Sequence, residues 1–65
     1  MGTPLTREVI LDMLATILPI ANKLGNVATL EELEPNLTAA YLSAWTLFND
    51  LNGLLDVYDF YNPSE

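Results

Sequence analysis

The sequence predicts an all-α protein, an antiparallel helical hairpin that assembles into a homo-oligomeric helical bundle. Two long stretches repeat apolar residues at spacings of three and four, which is the period of an α-helix. Each stretch is bounded by residues that start or stop helices. The chain has 65 residues, 51% of them apolar, with no Cys and no His. It is therefore too short to bury that apolar surface alone, and it cannot use disulfides or the common zinc ligand sets as staples. Self-association is the remaining route to a stable core.

The first helix is predicted over about residues 6–24. Thr6 is its N-cap, Leu5 and Ile10 form a hydrophobic staple across the cap, and Glu8 suits the positive end of the helix dipole. Thr3-Pro4 is a competing start one turn earlier. Lys23 suits the last carbonyls, and Gly25 is expected to stop the helix in the left-handed conformation. Glu8, Asp12, Thr16, Pro19 and Lys23 fall on one narrow stripe, and the rest of the circumference is apolar. Such a helix must be covered on several sides. Pro19 removes a backbone donor, so the helix is expected to kink there rather than break.

Thr29-Leu30-Glu31-Glu32 has the form of a capping box and predicts a short helical turn over residues 30–34. Pro35 lies where its missing N–H would be needed, so a fresh helix is expected from about residue 36 to 61, ended by Asn62-Pro63. The whole chain reads as one domain, with residues 1–5 and 62–65 as tails. Along the second helix two registers overlap. One comprises Leu37, Tyr41, Ala44, Phe48, Leu51, Leu55 and Tyr58; the other Ala40, Ala44, Leu47, Leu51, Leu54, Tyr58 and Tyr61. Two seams imply two packing partners, the first helix of the same chain and a helix of a second copy, with a dimer expected. The short connection makes the helices antiparallel and brings Arg7 near Asp56 and Asp59.

Leu42 and Trp45 lie one turn apart, off both seams. Either the turn carrying Leu30 and Leu33 or the dimer interface covers them, or they anchor a partner, as aromatic side chains at interfaces commonly do.

Composition excludes several functions. The net charge is −7, and Arg7 and Lys23 are the only cations. A nucleic-acid ligand is not expected, since backbone affinity requires clustered Lys and Arg. A helix-turn-helix reading of residues 30–45 fails because no Lys or Arg occurs from Asn36 onward. The longest apolar stretch, residues 9–21, is too short to span a bilayer and contains Asp12 and Pro19. No secretory leader is evident, and a cytoplasmic location is expected. Gly2 fits a loose myristoylation pattern, but no polybasic second signal follows, and the segment is read as an unmodified tail. Without His or Cys, the hydroxyls of Ser43, Ser64, the threonines and the tyrosines have no base to activate them, so no enzyme activity and no cofactor are expected.

Three functional classes remain. The first is a non-enzymatic protein-interaction module of the adaptor, antitoxin or phage-inhibitor kind. The second is an oligomeric protein that sequesters a small anionic ligand such as a nucleotide, using Arg7, Lys23, Tyr58 and Tyr61. The third is a degenerate calcium-binding loop. Asp50, Asn52, Gly53, Asp56 and Asp59 fit positions 3, 5, 6, 9 and 12 of that loop, but Phe48 occupies position 1 and the bidentate Glu of position 12 is replaced. The first class is preferred, and no metal site is expected.

Overall fold

A computed structural model describes residues 2–63. It is all-helical over those residues, with α1 (Arg7–Leu24), a short 3-10 turn (Glu31–Leu33) and α2 (Glu34–Tyr61). α1 begins as the sequence implies. The Thr6 backbone is extended, and its hydroxyl accepts from the Val9 amide at 3.1 Å. α1 then runs unbroken through Pro19, which is exposed on its outer side. The Thr3-Pro4 start is not used. Ser64 and the outermost residues of the two tails lie outside the described residues.

Gly25 ends α1, but not in the left-handed conformation. Its φ of −77° and ψ of −10° are right-handed helical; its amide donates to the Ala21 carbonyl, and the Asn26 amide donates to the Lys23 carbonyl. Glycine is needed there for a different reason. A Cβ on Gly25 would lie 2.9 Å from Cε1 of the Tyr41 ring. In that backbone conformation Ala would ordinarily stabilise by about 0.4–1 kcal/mol, by restricting the unfolded chain. The clash reverses the sign, because a half-buried ring must move. Gly25→Ala is expected to destabilise by about 1 kcal/mol, a typical overpacking cost. Adding Tyr41→Leu should recover part of the loss in a thermal melt, whereas Gly25→Ala melting higher than the parent would contradict the contact.

The predicted capping box does not form. The turn starts at Leu30 with no side-chain cap, and the amides of Leu33 and Glu34 donate to the carbonyls of Leu30 and Glu31 respectively. Pro35 accounts for this. An α-helix begun at Thr29 would require the residue 35 amide to donate to the Glu31 carbonyl, and proline has none. The chain instead tightens into a 3-10 turn that satisfies that carbonyl from Glu34. α2 then starts at Glu34, two residues before the expected position, with Pro35 in its first turn where no donor is required.

Two contacts set the register of the hairpin. Arg7 meets Asp59, and Gly25 meets Tyr41. The spans are equal, 18 residues from Arg7 to Gly25 and 18 from Tyr41 to Asp59. The helices therefore stay in step over about 27 Å. Near the loop, Ala21 and Ala44 fall at the same level, and both are buried. Small side chains at that level let the backbones approach. Towards the other end Ile10 and Leu51 complete the set of buried residues.

The hairpin measures 50 × 24 × 16 Å. A helix with its side chains is about 10–12 Å across, so the short dimensions are those of two helices side by side in one layer. Domains ordinarily need two packed layers to enclose a core. Among the described residues only four are buried, two of them alanines, and none of the four is polar.

Candidate functional site

Burial separates the two registers of α2. Leu37, Tyr41, Ala44, Phe48, Leu51, Leu55 and Tyr58 are all buried or half-buried and face α1. The positions belonging only to the second register, Ala40, Leu47, Leu54 and Tyr61, are exposed. At about 100° per residue they lie in a row beside the intrachain seam. α1 supplies the matching edge. Val9, Met13 and Ile17 are half-buried and Ile20 is exposed on the same side of the hairpin. Between the two edges runs an open groove of about 240 Å³, lined by Met13, Thr16, Ile17, Leu47 and Leu51. This face carries no charge at its centre. Asp50, one turn from Leu47, lies at its edge beside Ser43, and the Thr16 hydroxyl already donates to the Asp12 carbonyl at 2.9 Å.

The opposite face is mixed. Leu11 and Leu18 are exposed there on α1. On α2, Trp45 stacks edge-on between Tyr41 and Phe48, with ring centroids 6.3 and 5.4 Å apart, and remains half-buried. Leu42, one turn away, is 58% exposed. Leu30 and Leu33 do not cover it; both are themselves at least half exposed. Asn52 and Asp59 share this side, and Arg7 Nε donates to Asp59 Oδ1 at 3.1 Å. Both partners are substantially solvated, so the pair contributes only about 0–1 kcal/mol. Asp56 lies nearby on the sequence but takes no part in an ion pair among the described residues.

The residues proposed for an anionic ligand do not converge within one chain. Arg7 and Lys23 are 16 residues apart on α1, about 24 Å along its axis. Tyr58 is half-buried beside Asp59, whereas Tyr61 stacks on Phe60 at 5.0 Å, both rings about three-quarters exposed. A second groove, of about 330 Å³, lies at the loop end between Leu24, Gly25, Val27, Leu37, Thr38 and Tyr41. Neither groove has a charged lining residue.

Nor does a calcium loop form. Residues 48–59 are continuous helix, and the Asn52 amide is used locally, donating to the Phe48 carbonyl at 3.2 Å. Asp50 and Asn52 consequently point about 160° apart around the helix instead of into a common centre. Asp56 and Asp59 lie on the Asn52 side. Gly53, which the loop would use for its sharp turn, has ordinary negative φ within α2. Among the described residues no group of three or more acidic side chains is placed to hold a metal ion. Likewise, no helix of the described residues is long and apolar enough to cross a membrane.

The exposed row on α2 was legible in the overlapping registers, but the α1 half of the face was not. α1 is apolar over most of its circumference, so its sequence does not show which side its partner leaves open. No protein-family model, curated protein or solved structure matches the chain.

Proposed function

We propose that the protein is a small, acidic, non-enzymatic protein-interaction module that acts as a helical homo-oligomer, in the manner of an adaptor, antitoxin or inhibitor. The observation that carries this reading is the single-layer hairpin with a continuous uncharged apolar face and a separate apolar cluster on its other side. Large exposed apolar patches on small proteins mark interaction surfaces. Two such surfaces of different composition suit two kinds of contact. The uncharged face suits self-association, and Leu42 with Trp45, set among acids and amides, suits a partner that brings its own polar groups. A tryptophan held by two aromatic neighbours and reached from solvent has the character of a binding anchor.

The test is affinity capture from the native host with the intact chain as bait, run beside a Leu42→Asp variant. A carboxylate in an apolar interface must be desolvated, so the partner should be retained by the parent and lost, at least tenfold, by the variant. The variant should keep its helical signal and its assembly, because Leu42 lies away from the uncharged face. Capture of nothing but small molecules, or of one protein equally by both baits, would count against Leu42 and Trp45 as the contact.

A further inference from the structure

Resting on the homo-oligomer reading, we infer that the uncharged face is closed by a second copy of this chain, packed face to face and antiparallel across a two-fold axis at Leu47. The product is a four-helix bundle.

Surface area points to an occupant of this size. One chain exposes 5152 Å², whereas a compact monomer of 7.2 kDa exposes roughly 4,100 Å². The excess, about 1,000 Å², is close to the roughly 800 Å² that each partner gives to an interface of standard size. The radius of gyration agrees, at 15.0 Å against about 11 Å for a compact chain of this length. Stacking a second single-layer hairpin on the first supplies the missing layer.

The orientation follows from how side chains are spaced about Leu47. Ala40 precedes it by seven residues and Leu54 follows it by seven. An antiparallel copy therefore sets the small side chain of Ala40 against the large one of Leu54 twice, with Leu47 meeting its own copy between them. Alternating small and large residues in this way fills a bundle interior without voids. α1 obeys the same symmetry. Ile17 shares the groove with Leu47, Lys23 follows it by six residues and Asp12 precedes it by five. Both lie on the rim of the face, so the antiparallel copy brings Lys23 of each chain to Asp12 of the other. Within one chain Lys23 has no ion-pair partner among the described residues. A parallel copy would instead put α1 over α2 of its mate, setting Lys23 near Ser43 with no acid at that level.

The chain has no native cysteine, so single cysteines report the geometry directly. Leu47→Cys, Ala40→Cys and Leu54→Cys would be oxidised separately, and the last two also as an equimolar mixture, and resolved on non-reducing gels. Disulfides require Cα atoms within about 7 Å. In the antiparallel bundle Leu47→Cys links to itself, and the Ala40→Cys and Leu54→Cys variants link to each other. Neither of these links to itself, because seven residues on each side of the axis separate the copies by about 21 Å. Equal self-linking at all three positions overturns the orientation and leaves the homo-oligomer in place. A sedimenting dimer in which Leu47→Cys never links overturns the antiparallel pairing at Leu47. Sedimentation as a folded monomer overturns the homo-oligomer reading on which the inference rests.

Discussion

Leu47→Glu is expected to dissociate the protein and to remove most of its helical circular dichroism at micromolar concentration. In one chain Leu47 is 48% exposed, so the substitution takes little from the hairpin itself. In the proposed bundle the remaining half of that surface would be buried in each of two copies, worth about 2–3 kcal/mol together. Two carboxylates would also meet at the symmetry axis, where desolvation and like-charge repulsion both oppose association. The dimer should weaken by at least about a hundredfold. Helix loss follows because a single layer with four buried residues cannot offset the conformational entropy of its own ordering. Leu42→Asp, which adds a charge to α2 away from this face, serves as the control and should leave both assembly and helicity unchanged. Equal loss of helix in both variants would indicate a general intolerance of charge and not an interface at Leu47.

Ile10→Ala should be the most damaging truncation in the chain. Among the described residues, Ile10 is the one large side chain that a single copy buries completely. Replacing such a residue by Ala costs about 2–5 kcal/mol, from lost transfer free energy and the cavity left behind. A core in this size range rarely supplies more than about 3–5 kcal/mol. The variant should therefore be largely unfolded at room temperature, or melt tens of degrees lower. Because folding and pairing are coupled in the proposed dimer, this variant and Leu47→Glu should both regain some helix as concentration rises. Ile17, which the apolar circumference of α1 also suggested as a core position, lines the open groove and is only half-buried, so Ile17→Glu belongs with Leu47→Glu.

The parts of the fold that could be read from the sequence are those set by neighbours within one helical turn. The Thr6 cap, the end of α1 at Leu24 and the end of α2 at Tyr61 all follow from local hydrogen bonding and period. The Arg7–Asp59 pair was also legible, because a short connection between two long helices leaves only the antiparallel arrangement. What escaped the sequence depends on distant or competing partners. Gly25 reads as a left-handed cap until Tyr41, sixteen residues on, is seen against it. Thr29 and Glu32 have the right spacing for a capping box, but the missing amide of Pro35 takes away the α-helical turn the box needs. For the candidate site, the two registers on α2 were visible as overlapping periods, and only the position of α1 reveals which of them is left open. Leu42 and Trp45 stood out because they belong to neither register; their separation from the uncharged face requires the hairpin.

The uncharged face and the excess surface make one central claim, that the folded unit is a pair of chains. Sedimentation equilibrium of the unaltered protein across the micromolar range, read alongside helical circular dichroism of the same samples, tests it most directly. A species of twice the 7.2 kDa chain mass is expected, with helix and dimer lost together on dilution. A species of one chain mass that keeps its full helical signal at every concentration would contradict it.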